Sequence, residues 1–264
     1  MSGHPIIPKI KIHIGSSRSW SPNTLKTRMV LNFKGIPYTQ SFISYPDIAP
    51  LLQALSVPPL KEAMPYTLPA IVHKASITSP ESGAMNDSLP IALHLDKTFP
   101  DRPLFPSGAG SYMLALAVDE LTLPVIRASV SLVFPGVADI LDERGQKYFR
   151  ETREKRFGKP LTELRPQGEE AIAAVRENAK KAITQITTVL EGRQHAGYDT
   201  GPFFEGDRPG YADLVIVSFL AWFERADRPT FDMLLEAGNG ELKALWDACL
   251  PWVDGQGEEK EWKV

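Results

Sequence analysis

Lys9-Ile10-Lys11-Ile12-His13-Ile14 alternates polar and apolar side chains, so Ile10, Ile12 and Ile14 share one face of a predicted strand. Gly15 and a serine-rich loop (Ser16, Ser17, Ser19, Ser21) end that pattern. Beyond it Leu25, Met29 and Phe33 recur at i, i+4, i+8, the spacing of one helix face. Ser21 is a favoured N-cap, Pro22 suits a first helical position where its missing N–H goes unused, and Gly35 supplies the stop. Residues 36–43 read as a second strand with Pro37 at its start, where no ladder bond is lost. Strand, helix, strand implies a parallel pair with a right-handed crossover. A proline-punctuated stretch (46–65) has no assigned role. Residues 66–72 read as another strand and 74–82 as a polar hairpin excursion, and Asp87-Ser88 opens a helix in which Ile91 and Leu95 share a face.

The texture changes after residues 99–108, a linker with prolines at 100, 103 and 106. Residues 111–133 suit a long helix bent at Pro124. Pro166 opens another, with Ile172, Val175, Ala179, Ile186 and Leu190 near heptad spacing. Further helical patterns cover 211–226 and 241–250, and no strand pattern appears. The expected fold is an α/β domain over residues 1–106 joined to an all-α domain over 107–264, with low complexity confined to the polar end (254–264).

Composition narrows the function classes. With 43% hydrophobic residues in 264, the chain can bury a sizeable core. The charge sum, 29 Lys+Arg against 32 Asp+Glu, gives −3, without the basic footprint of a nucleic-acid binder. The longest nearly apolar stretch, Leu214 to Phe223, falls short of the ~20 residues a membrane helix needs, so no membrane association is expected. No secretion-signal pattern stands at the N-terminus, which points to a cytoplasmic protein. Cys249 is the single cysteine, which excludes an internal disulfide framework and a cysteine zinc site, and burial is its expected fate. Histidines 4, 13, 73, 94 and 195 lack ligand spacing, so no metal is expected. The Lys- and Arg-rich stretch 144–165 reads as solvated helix faces or loops.

Three motifs follow one another in the first domain. They are Trp20-Ser21-Pro22 with Arg28 and Lys34-Gly35-Ile36-Pro37-Tyr38 behind it, Tyr66-Thr67-Leu68-Pro69-Ala70-Ile71, and Asp87-Ser88-Leu89-Pro90-Ile91. With the two-domain organisation, they resemble the glutathione transferases over nearly the whole chain. The closest likeness is to serine-type, fungal class A members related to glutathione-dependent β-etherases. The resemblance implies a thioredoxin-like domain followed by an all-helical domain that walls the acceptor pocket. It also implies a cis Pro69, glutathione as co-substrate, no metal, and a homodimer. By the same resemblance Leu68 and Pro69 hold the cysteinyl backbone of glutathione, and Asp87 and Ser88 hold its γ-glutamyl end.

The chemistry of each motif stands beside that likeness. A thiol attacks as thiolate and has a free pKa near ~8.5. A serine hydroxyl at a helix N-terminus can donate to sulfur while the helix dipole favours negative charge there, so Ser21 is a donor and not a nucleophile. Ser17 and Ser19 are rivals for that role, and Asn23 is a second donor. Asp87-Ser88 at a helix start suits a zwitterion, with the carboxylate on N–H groups and the Ser88 hydroxyl, and the ammonium on Asp87. Simple capping by Ser21 and Asp87 is the bland alternative. Trp20 is expected in the acceptor pocket, opposite Tyr112 to Arg127.

In the second domain, Gly210 to Asp213 looks like the family's capping box. Asp213 there reaches back to an N-cap N–H, a folding feature. Three departures from the family pattern stand out. Asp87 replaces the usual Glu, and Gly210 replaces Ser or Thr. Tyr66 and Thr67 stand where many relatives carry a lysine, leaving Lys61 or Gln53 for the glycyl carboxylate.

The expected activity is conjugation of glutathione to electrophilic, hydrophobic or aromatic small molecules, with hydroperoxide reduction as a side activity. The alternatives are glutathione-dependent aryl β-ether cleavage, a ligandin-like carrier of aromatic molecules, and a translation- or assembly-factor module.

Overall fold

The computed structural model describes residues 10–15, 19–60, 64–195, 197, 201–255 and 257–261, so Ser17 and Lys61 lie outside the described residues. Strand β1 (Ile10–Gly15) pairs in parallel with β2 (Tyr38–Ile43), in register from Ile10↔Tyr38 to Gly15↔Ile43. Helix α1 (Pro22–Lys34) crosses between them and stops at Gly35, whose φ of 67° is the left-handed turn that glycine supplies without steric cost. This is the βαβ unit that the periodicity predicts. A 3-10 turn (Tyr45–Asp47) and α2 (Ile48–Ala54) then take up the first part of the proline-punctuated stretch. Pro46 and Pro50 stand in their first turns, where a helix has no use for the N–H.

Of the strand expected over 66–72, only β3 (Ala70–Val72) forms, and the Leu68-Pro69 bond before it is cis. β3 runs antiparallel to β1 and to β4 (Ala84–Asn86), and α3 (Ser88–Thr98) follows. The sheet order is β4-β3-β1-β2-β5, where β5 is Glu258–Glu259. That last strand corrects the expectation that the chain has none after the linker. It shows no hydrophobic alternation because hydrogen bonds to the β2 edge, not apolar side chains, place it. Lys260 N–H donates to Gln40 O at 2.8 Å, and Ser41 Oγ donates to Lys260 O at 2.7 Å.

Residues 99–108 carry neither helix nor strand. The helices beyond are α4 (Ala109–Asp139), α5 (Glu143–Phe157), α6 (Leu161–Leu164), α7 (Glu169–His195), α8 (Tyr211–Ala226), α9 (Arg228–Leu235) and α10 (Glu241–Asp254). α4 continues through both Pro124 and Pro135, longer at each end than its pattern predicts. It is apolar and long enough to cross a membrane, yet its stripe of Ala115, Val118, Val125, Leu132, Val133 and Val137 is buried, and it packs on α7 and α8. Pro166 does not open α7, which starts three residues later behind Gly168 at φ 86°.

α8 is the centre of the molecule, buried at every position from Tyr211 to Phe223, as a helix apolar on all sides must be. α1 packs against α8 and α10, so its polar residues are buried too and need partners. Arg28 Nη2 donates to Val253 O at 2.7 Å, and Lys34 Nζ meets Asp96 Oδ1 at 2.7 Å. Cys249 is fully buried, and burial pushes its thiol above the ordinary range, which leaves it unreactive at neutral pH.

Candidate active site

The start of α1 places Ser21. Its backbone is extended (φ −67°, ψ 130°), and its carbonyl accepts from Leu25 N–H at 2.9 Å and from Thr24 Oγ1 at 3.0 Å. Its hydroxyl makes no capping bond, so the capping role falls to the backbone and the side chain stays available at the positive end of the helix. Ser19 is 2% exposed and buried, whereas Ser21 is partly open to solvent. Asn23, two residues on, is exposed.

The second and third motifs meet across β3 and β4. Asp87 N–H donates to Pro69 O at 3.2 Å, which fixes the Leu68-Pro69 segment beside the start of α3. Leu68 has no backbone hydrogen bond among the described residues, so its N–H and C=O are free to pair with an extended ligand. Asp87 adopts φ 75°, ψ 129°, a region that costs a non-glycine residue about 1–3 kcal/mol. Its side chain makes no capping bond in return. Strain of this kind persists where a site needs a side chain aimed in one direction. Asp87→Gly is therefore expected to raise the unfolding free energy by about 1 kcal/mol, relief of strain exceeding the extra chain entropy of glycine. Urea unfolding checks it, and a loss of stability would show that carboxylate contacts outweigh the backbone.

A cavity of about 240 Å³ opens between these elements. Asn23 and Lys26 of α1, Asp87, Ser88 and Leu89 at α3, Ala115, Leu116 and Asp119 of α4, and Tyr211 and Val215 of α8 line it. Three residues singled out in the sequence, Asn23, Asp87 and Ser88, thus share one cavity, and part of the expected α4 wall faces them. Ser21, Leu68, Pro69 and Trp20 do not line it.

Trp20 turns instead into an aromatic cluster. Its ring centroid lies 6.3 Å from Tyr45 and 6.4 Å from Phe149, and Tyr45 stacks on Tyr148 at 5.7 Å. Trp20 is 6% exposed, and its ring partners come from the β2–α2 connection and α5, not from residues 112–127. Arg153 lies 4.2 Å over the Phe149 ring. Burial pushes the Tyr45 phenol up to about 12, against the opposing pull of Arg153.

Sequence reasoning misses Lys26, Asp119 and Tyr211. Lys26 follows Asn23 by three residues, hence on the same helix face, a spacing that could have flagged it. Gln53 is exposed on α2 and is not among the described residues that line the cavity. Among the described residues, no group of three or more His, Cys, Asp or Glu side chains could hold a metal ion.

Comparison with known proteins covers both halves. A family model described as the glutathione S-transferase N-terminal domain matches residues 20–98, and one described as the C-terminal domain matches 114–252. The glutathione S-transferase-like protein ustS of Aspergillus flavus is 55% identical over 251 residues, 95% of this chain and 91% of that protein. A probable glutathione S-transferase of rice (Oryza sativa subsp. japonica), GSTU6, is 26% identical over 227 residues, 86% of this chain and 79% of that protein. Among solved structures, a glutathione S-transferase of Ceriporiopsis subvermispora in complex with glutathione is 29% identical with a TM-score of 0.79, covering 92% of this chain and 97% of its own. Transferase GSTFuA3 of Phanerochaete chrysosporium is 28% identical at 0.77, covering 93% and 98%. The three motifs, the two-part fold and these matches agree over most of the length, and the chain belongs to the glutathione S-transferase family of enzymes.

Proposed function

We propose that the protein binds glutathione along Leu68, Pro69, Asp87 and Ser88, and that Ser21 holds the glutathione thiolate for attack on an electrophilic small molecule. The observation that carries this reading is the Ser21 hydroxyl, which sits at the N-terminus of α1 and is not spent on capping. Holding thiolate two pKa units below a free thiol takes roughly 2.7 kcal/mol, within reach of one charge-assisted hydrogen bond plus the helix dipole. Asn23 is a second donor one residue into the helix. Trp20, the chain neighbour of Ser21, joins a cluster with Tyr45, on which the exposed Tyr148 stacks, and this supports an aromatic acceptor. The same thiolate would reduce hydroperoxides to alcohol and water, with two glutathione molecules leaving as the disulfide.

Ultraviolet titration of the bound thiol tests the reading. The expected result is a pKa well under that of free glutathione in the wild type, and a rise of about one unit or more in Ser21→Ala, the loss of one charge-assisted bond. Glutathione bound at its solution pKa in both proteins would replace the transferase with a carrier. The reading includes a homodimer, checked by sedimentation equilibrium.

A further inference from the structure

The cavity behind Asn23 has a wall that the motifs leave unused. Tyr211 begins α8, its N–H donates to Leu104 O at 2.8 Å, and its ring lies 5.9 Å from Phe105. It is 3% exposed, and among the described residues its buried hydroxyl has no hydrogen-bond partner, with the Ser88 side chain close enough to act on it. A buried hydroxyl left unpaired is costly, and Tyr211 is one of the residues that line the cavity. Burial raises its pKa beyond the ordinary phenol range, so it keeps its proton and serves as a donor.

Three other features surround it. The Ser88 and Leu89 N–H groups, in the first turn of α3, have no backbone partner among the described residues, and Pro90 has no N–H to offer. Lys26 Nζ is paired with Asp119 Oδ1 at 2.6 Å across the two domains, the lysine side chain 11% exposed and the aspartate 51%. Asp87 lines the same cavity. A simple anion in this cavity would face two carboxylates. A simple cation would face Lys26 and the positive end of α3. An α-amino acid head group, carrying both charges, satisfies both sides.

We infer that Tyr211 is a specificity-determining residue: its hydroxyl donates to the α-carboxylate of the γ-glutamyl group, beside Ser88 and the α3 N–H groups. Asp119, steadied by Lys26, is the second carboxylate for the ammonium. The helical domain therefore completes recognition of the γ-glutamyl end, which the thioredoxin-like domain alone leaves open on one side. This assignment rests on the proposed glutathione binding.

Calorimetry with three peptides tests it: glutathione, glutaryl-Cys-Gly (α-amino group missing) and 4-aminobutanoyl-Cys-Gly (α-carboxylate missing). Tyr211→Phe keeps the ring and should melt no lower than the wild type. It is expected to weaken glutathione and the glutaryl peptide about tenfold, ~1.4 kcal/mol, and to leave the aminobutanoyl peptide unchanged. Asp119→Asn, at a half-exposed position, is expected to weaken the two ammonium-bearing peptides about threefold and spare the glutaryl peptide. Wild-type affinity of Tyr211→Phe for glutathione, or an equal loss on the aminobutanoyl peptide, would overturn the assignment while leaving glutathione binding intact. A wild type that binds none of the three peptides removes glutathione binding itself, and this assignment with it.

Discussion

Gly136→Ala is expected to destabilise the protein by about 4 kcal/mol or to prevent folding, the range of severe core overpacking. In an ordinary helix the exchange would gain up to about 1 kcal/mol. Here a Cβ on residue 136 would lie 1.9 Å from Ala226 O and 2.8 Å from Ala226 C, both backbone atoms at the last residue of α8. Backbone cannot rotate aside as a side chain does, so one helix must move. α8 resists, because it is buried from Tyr211 to Phe223 and the residue after its last turn, Asp227, is tied in place. Its carboxylate accepts from Thr230 Oγ1 and pairs with Arg165 at 3.1 Å and Arg176 at 3.6 Å. Separating α4 from α8 would open the core around Leu132, Val133 and Val137. Gly110→Ala provides the control on the same helix, since a Cβ there meets nothing within 4 Å. It should be neutral or stabilising by up to about 1 kcal/mol. Thermal and urea unfolding of both variants check the contrast, and equal behaviour would mean that α4 and α8 can slide apart cheaply.

Gly136 also marks where a sequence stops being readable. Its role depends on residue 226, and no local pattern links the two. Elements with complete local signals are read correctly. Both α1, with Ser21-Pro22 before its apolar stripe and Gly35 after it, and α8, bounded by Gly210 with Asp213 three residues in, are recovered from periodicity and caps. The length of α4 is not, because its apolar pattern ends at residue 133, two residues before Pro135, while packing on α7 and α8 carries the helix on to Asp139. β5 is not, because hydrogen bonds to the β2 edge, not apolar side chains, place Glu258 and Glu259. The site divides in the same way. Asn23, Asp87 and Ser88 announce themselves as first-turn residues at helix starts, and they converge on one cavity. Lys26, Asp119 and Tyr211 come from three separate helices and reach that cavity only through tertiary packing. Tyr211 is further disguised, since it stands inside a capping motif whose evident purpose is folding.

Replacing Asp213 tests that motif and separates its hydrogen bonds from its charge. Gly210 has no side chain to cap with, so only the Asp213 half of a capping box exists. Its Oδ2 accepts from Gly210 N–H at 2.7 Å and its Oδ1 from Phe204 N–H at 2.8 Å, all in the interior. Asp213→Ala leaves two buried N–H groups unpaired and is expected to cost about 3–5 kcal/mol, at roughly 1–3 for each lost acceptor. The pH dependence follows from burial, which raises the carboxyl to about 7 despite the opposing pull of its two N–H donors. An aspartate in the unfolded chain titrates near ~3.9, so the folded state binds the proton more tightly. The stability this proton linkage contributes is fully present below about pH 4, falls as pH rises, and is gone above about pH 7. Three pH units at ~1.4 kcal/mol each put the change at no more than about 4 kcal/mol. Asp213→Asn keeps one acceptor and cannot titrate. The unfolding free energy of the wild type minus that of Asp213→Asn should therefore decline between pH 4 and 7 and level off above. A difference that instead grows with pH would mean that the two N–H donors hold the carboxylate ionised in the core, with the charge itself stabilising the start of α8.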